Sequence, residues 1–230
     1  MPDGKFIIIE GTDCSGKETQ KKKLVERLRG LNIPVEGLSF PRYGTPTGDI
    51  VGACYLGKPL RSQVGSWFGE ADSVDPKVAS LYYATDRRAA APEVKQKLNS
   101  GINLVCDRYV ESNMGHQGGK IKNPQQRAKF FEWLESLEYG LLELPRPDLI
   151  IFLYMPLKVA NALKGNRGGV LDGHESNEFH LTNAEKSYLE LAERYGWRTI
   201  LCAPDKTPKT LKTPEKIHEE VWANVKDLFR

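Results

Sequence analysis

The chain has 230 residues, 40% of them apolar and 27% charged, with a formal net charge of +3. That balance fits a folded domain with a sizeable core and excludes the disordered class. The longest apolar run, Leu149 to Met155, is too short to cross a bilayer, and Met1 to Glu10 has no signal-peptide pattern.

The charge is too slight to argue for a nucleic-acid partner. Cys14, Cys54, Cys106 and Cys202 have neither metal-ligand spacing nor a disulfide framework. The expectation is one domain over 1–230, cytoplasmic, with small molecules rather than nucleic acid or membrane as partners.

Phe6 to Ile9 is an apolar run that reads as a buried strand, and it leads into Gly11-Thr12-Asp13-Cys14-Ser15-Gly16-Lys17-Glu18-Thr19. The two glycines and the lysine have P-loop spacing. Backbone N–H groups can turn inward onto phosphate oxygens, Lys17 can reach the outer phosphates, and the following helix adds its positive end. Glu18 stands where a hydroxyl residue ordinarily meets magnesium, and Thr19 comes one position late. Leu24, Val25, Leu28 and Leu31 form the stripe of that helix, which ends at Gly30, Asn32 and Pro34.

Val35 to Phe40 reads as a second strand, releasing Phe40, Pro41 and Arg42 into a loop beside the P-loop; Arg42 is either a ligand contact or a chance surface residue there. Thr47 to Leu56 is expected to be a short helix and Gly57 to Val74 irregular. From Pro76 a helix is expected with Val78, Leu81, Tyr82 and Thr85 as its core stripe, kinked or restarted at Pro92. Tyr83 and Arg87, one turn apart on an adjacent face, can hold a flat ligand by stacking and edge donation, or can simply be core.

A third strand, Ile102 to Cys106, ends in Asp107-Arg108-Tyr109. Beside a P-loop, Asp107 is placed for magnesium and Arg108 for phosphate; otherwise Asp107 is a turn or cap residue. Ser112, Asn113, His116 and Gln117 follow in a polar stretch that suits a binding wall. Beyond Pro124, Phe130, Leu134, Leu137 and Leu141 mark a core stripe, and Leu149 to Leu153 is a fully buried strand. Lys164 to Glu175 is rich in glycine around Arg167, which describes either a mobile basic flap or a solvated loop. Tyr188, Leu191, Ala192 and Tyr195 mark a helix. Thr199 to Cys202 is a last strand, and Ile217, Val221, Val225 and Leu228 mark a closing helix.

Taken together, the glycine loop, the Phe-Pro turn, Asp107-Arg108-Tyr109 with Ser112 and His116-Gln117-Gly118, and the glycine-arginine flap resemble the thymidylate kinase family from Lys5 to about Val225. The resemblance implies an α/β protein with the three-layer α/β/α P-loop kinase fold, a five-stranded parallel sheet and a lid at about 164–176. It further implies transfer of the γ-phosphoryl of ATP to dTMP with Mg2+, in a homodimer. Lys17, Arg108, Arg167 and Asp107 would be catalytic, and Gly11 to Thr19 would bind ATP.

By the same resemblance Asp13 would meet the nucleoside 3′-hydroxyl and Phe40 and Arg42 would border the monophosphate. Tyr83 would stack on thymine, Arg87 would donate to a thymine carbonyl, and Ser112, Asn113 and Gln117 would lie along the substrate. Asp107 and Asp13 would hold Mg2+. The lid arginine, with none in the P-loop, looks like the family type whose catalytic arginine comes from the lid. His116 replaces the family's aromatic beside the sugar, where a smaller imidazole could tolerate or pair with a 2′-hydroxyl. A kinase of dUMP or UMP, and a P-loop ATPase switch that controls association, are the alternatives.

Overall fold

The computed structural model of the protein describes residues 3–58, 65–164 and 178–229. In chain order its main elements are β1 (Phe6–Gly11), α1 (Lys17–Gly30), β2 (Val35–Ser39), α2 (Pro46–Asp49), α3 (Pro76–Asn99), β3 (Asn103–Asp107), α4 (Val110–Gly119), α5 (Pro124–Glu135), β4 (Leu149–Tyr154), α6 (Leu157–Lys164), α7 (Glu178–Arg194), β5 (Arg198–Leu201) and α8 (Pro214–Val225). The five strands are parallel in the order β2-β3-β1-β4-β5.

Alternation along β1 divides the core between the two sheet faces. Ile7 and Ile9 pack with Leu24, Val25 and Leu28 of α1 and Val221 and Val225 of α8. Phe6 and Ile8 pack on the other side with Val94 and Leu98 of α3, Met114 of α4, Phe131 of α5 and Tyr188 of α7. Strands covered by helices on both faces must be apolar throughout, and all six residues of β1 are buried. The first strand pairs with β3 on one side and β4 on the other, so the chain reverses its direction of winding at β1. That leaves a crevice at the carboxyl ends of β1 and β3, where Ile9 and Ser39 both stand in register with Asp107.

Several local expectations are corrected. Leu31 caps α1 rather than joining its stripe and is half exposed. The segment expected as one helix over Thr47 to Leu56 is α2 followed by a π-helical turn, Ile50–Tyr55. Helix α3 runs unbroken through Pro92, since Pro92 and Arg88, whose carbonyl loses its partner, both lie on the solvent side.

The core face of α3 is also not the one expected. Val78 and Leu81 are 41% and 45% exposed, while Ala79, Ala84, Asp86, Arg87, Ala90 and Ala91 turn inward. Alanines let the helix approach its neighbours closely, and that preference overrides the bulkier stripe. Similarly, α5 buries Phe130 and Leu134 as expected, together with Phe131, but continues into a π-helical turn, Ser136–Leu141, which advances the buried face so that Glu138 goes inside and Leu141 is 80% exposed. The polar stretch expected as a binding wall forms the largely buried helix α4, and its Ser112, Asn113, His116 and Gln117 do line a cavity.

Candidate active site

The P-loop is held from both ends. Thr12 Oγ1 donates to Met155 O at 2.7 Å and accepts from Met155 N at 2.8 Å, which ties the loop to the end of β4. Gly16 sits at φ 82°, a left-handed conformation that costs a residue with a side chain. A Cβ on Gly11 would stand 2.4 Å from Ser15 Oγ and 2.6 Å from Leu153 O, so this glycine is required for close approach. Lys17 is buried and folds back over the loop, donating to Gly11 O at 3.0 Å and Thr12 O at 3.1 Å. Burial, and next the charge of Arg108, pull its pKa down against Asp107, Asp13 and Glu10. An incoming polyphosphate would favour the charged form and so oppose that shift. Glu18 pairs outward with Lys22 at 2.7 Å, and Thr19 is exposed, so neither offers an inward hydroxyl in this arrangement.

The end of β3 is built with equal care. Arg108 adopts φ 66°, uncommon for a non-glycine residue and costly unless its surroundings impose it. Two contacts impose it: Arg108 N donates to Ile9 O at 3.2 Å, and Tyr109 N donates to Glu10 Oε1 at 3.0 Å. Ser112 Oγ also donates to Glu10 Oε1, at 2.7 Å, and Tyr188 Oη lies 3.3 Å from Glu10 Oε2. Glu10 is fully buried, and burial raises its pKa despite Arg108, Ser112 and Lys17. It is the bracket between P-loop strand and phosphate-side helix, and sequence reasoning missed it. The available signal was a carboxylate inside an otherwise apolar strand directly before the glycine loop.

A cavity of about 380 Å³ opens over these strand ends, lined by Asp13, Glu18, Phe40, Tyr83, Arg87, Asp107, Arg108, Ser112, Asn113, His116 and Gln117 among others. Among the described residues, three of the buried side-chain polar atoms without a hydrogen-bond partner belong to this region: Asp107 Oδ1 and Gln117 Oε1 in the lining and Ser15 Oγ in the P-loop. Such orphaned acceptors are costly unless a ligand completes them.

Arg87 is 2% exposed and doubly bonded to Glu138, Nε to Oε2 at 2.5 Å and Nη2 to Oε1 at 2.7 Å, while Nη1 donates to Tyr109 O at 3.0 Å. Asn113 Nδ2 reaches the same carboxylate at 3.0 Å. Glu138 is thus a second supporting residue that sequence reasoning missed, because the π-helical turn that brings it inside breaks the helical period. Tyr83 stands edge-on to Tyr55 at 5.7 Å beside this pair.

Arg42 is not brought into the cavity wall. Its backbone N and Nε both donate to Asp86, at 2.7 and 3.2 Å, which turns the guanidinium aside. His116 has both ring nitrogens engaged, by Arg108 and by His180, so neither is positioned for a sugar hydroxyl as the sequence had suggested. Arg167 and nearly all of segment 164–176 lie outside the described residues.

Among the described residues no group of three or more metal-ligating side chains occurs. Magnesium ordinarily keeps waters and takes one or two carboxylates plus substrate phosphates, so the orphaned Asp107 Oδ1 beside the P-loop, with Asp13 on the same cavity, fits that ion.

A parallel sheet of order 2-3-1-4-5, a glycine loop after its central strand and a cavity over the strand ends that reaches from Asp13 to Tyr83 and Gln117 define a P-loop nucleotide-binding protein. The family model for thymidylate kinase matches residues 9–212. Thymidylate kinase of Homo sapiens is 32% identical over 99% of this chain and 92% of its own, and that of Mycobacterium tuberculosis 27% identical over 90% and 94%. The solved thymidylate kinase of Candida albicans shares the fold, with a TM-score of 0.71 at 23% identity over 98% of this chain and 92% of that one. The chain belongs to the thymidylate kinase family.

Proposed function

We propose that this protein transfers the γ-phosphoryl group of ATP to dTMP, giving dTDP and ADP. The observation that carries the reading is that one cavity joins P-loop residues to Asp107 and Arg108 and then to Tyr83, Arg87, Asn113 and Gln117, so donor phosphates, acceptor phosphate and base have adjoining places.

In the reaction the bond from Pγ to the ADP oxygen breaks and a bond from Pγ to a dTMP phosphate oxygen forms. The acceptor is already ionised, so no side chain need remove a proton. The chain's contribution is alignment of the two phosphates and stabilisation of equatorial charge. Lys17 moves from its loop carbonyls onto the donor phosphates, and Arg108 holds the acceptor phosphate. Asp107 and Asp13 would hold Mg2+, which neutralises donor charge when bound. Tyr83 stacks on the base, while the clamped Arg87 presents its remaining N–H groups to the base edge, and Asn113, whose two N–H groups go to Ser80 O and Glu138, can offer only its carbonyl oxygen.

The whole chain is read as one domain, cytoplasmic and homodimeric. Four free cysteines and the absence, among the described residues, of any helix long and apolar enough to cross a membrane support the location. An exposed apolar face of Val78, Leu81 and Trp67, with Phe68 stacked on Tyr82 at 5.2 Å, supports self-association.

Coupled ADP release measured with ATP, Mg2+ and a panel of dTMP, dUMP and UMP tests the reading. Release that requires dTMP and is fastest with it is expected. Faster turnover of dUMP or UMP would reassign the substrate, and release without any monophosphate would overturn the kinase assignment.

A further inference from the structure

Four side chains from four parts of the chain stand in line behind the cavity. Arg108 Nη1 lies 3.1 Å from His116 Nε2, His116 Nδ1 lies 3.3 Å from His180 Nε2, and His180 Nδ1 lies 2.8 Å from Asp72 Oδ1. The two imidazoles are coplanar to within 3°. Arginine has no acceptor, so His116 Nε2 must present its lone pair. In the neutral ring the proton is then on His116 Nδ1, and it points at His180 Nε2, which must accept in turn. His180 therefore carries its proton on Nδ1, facing the carboxylate of Asp72. Every alternative fails at one contact: a proton on His180 Nε2 would force His116 Nδ1 to accept and put N–H against N–H at Arg108.

The frame that holds this line is closed. His116 is on α4 and His180 is in the first turn of α7, 4% exposed. Asp72 is on a short turn, Ala71–Ser73, that Lys120 pins back to the end of α4 by donating to Ala71 O at 2.7 Å and Val74 O at 3.1 Å. Tyr188, also on α7, stands perpendicular to His116 at 5.5 Å and fills the space on its face. Among the described residues His116 is the side-chain hydrogen-bond partner of Arg108, which itself lines the cavity.

We propose that Asp72, His180 and His116 form a one-way hydrogen-bond relay that orients Arg108 toward the acceptor phosphate, so that His180 and Asp72 are positioning residues for dTMP although neither lines the site. The proposal rests on the reading of Arg108 as the acceptor-phosphate arginine.

The test combines kinetics with nitrogen-15 spectra of the histidine rings, of which the chain has four. At a pH where the rings are neutral, His116 and His180 in the substrate-free protein should both show the Nδ1–H tautomer. His180→Phe keeps the ring volume but removes acceptor and donor, and should raise KM for dTMP about tenfold, the worth of one charge-assisted hydrogen bond, with KM for ATP unchanged. His180→Gln, which can accept and donate, should recover most of that loss.

An Nε2–H tautomer at His116 would overturn the relay, and this holds even if the phenylalanine variant fails to fold. Equal losses for both substrates, or no rescue by glutamine, would overturn it as well. Arg108→Ala separates the two levels: unchanged KM for dTMP in that variant removes the phosphate reading, while the tautomers still decide the relay.

Discussion

Replacing Glu138 by glutamine isolates the buried pair that holds Arg87. The side chains are 1% and 0% exposed, and the guanidinium makes two parallel bonds to the carboxylate at 2.5 and 2.7 Å. Glutamine keeps the volume but leaves a buried cation without its counter-charge. Breaking such a pair from one side costs about 3–5 kcal/mol, against less than about 1 kcal/mol for an exposed pair. In a domain of this length each kcal/mol lowers Tm by roughly 2–4 °C, so Glu138→Gln should melt about 6–20 °C below the parent. The double variant Arg87→Leu, Glu138→Leu removes both charges and should recover much of that stability, since well-packed apolar residues replace buried pairs at little cost. It should not recover turnover of dTMP, because the base then lacks the Arg87 donor, whereas KM for ATP should stay near the parent value. Calorimetric melting of the three proteins, with KM for each substrate, decides the matter. A Glu138→Gln protein melting within about 2 °C of the parent would refute the energetic argument. A double variant with normal kcat/KM for dTMP would show that Arg87 is structural only.

Gly11→Ala pushes a methyl group to 2.6 Å from Leu153 O, a backbone atom that cannot swing away, so ATP binding should weaken severely while dTMP binding is spared; isothermal titration with each nucleotide checks this. Asp107→Asn should raise the Mg2+ concentration for half-maximal rate and Glu18→Ser should lower it. Loss of the exposed Glu18–Lys22 pair should leave the melting temperature almost unchanged. Burial, opposed by the Tyr139 hydroxyl and aided by Glu10, pushes the Glu111 carboxyl up to about 7. The folded state then binds the proton more tightly than the unfolded chain, so this group's stabilising contribution is full below about pH 4.5 and is lost as pH rises to about 7 and above. Glu111→Gln should therefore gain stability relative to the parent at pH 8, by about 3 kcal/mol at most, and gain little at pH 5, as melting at the two pH values will tell.

The sequence alone determined the order and kind of the main elements, since they rest on local physics. Apolar runs that stay apolar at every position call for strands covered on both faces, and Gly11 and Gly16 at their spacing before Lys17 call for a phosphate loop. The same local logic found Asp107 and Arg108, because the end of a buried strand beside such a loop is one of few places where charge is useful. Periodicity failed where the backbone departed from its period. The π-helical turn at Ser136–Leu141 carried Glu138 inside and Leu141 out, and α3 turned its alanines inward in place of Val78 and Leu81. Pairings across long separations were equally invisible. Arg87 with Glu138, Arg42 with Asp86, Glu10 with Tyr109 and Ser112, and Arg108 with His116, His180 and Asp72 each depend on which helices are neighbours. A buried charge accepts whichever counter-group the packing brings within about 3 Å, and only the tertiary structure decides which one that is.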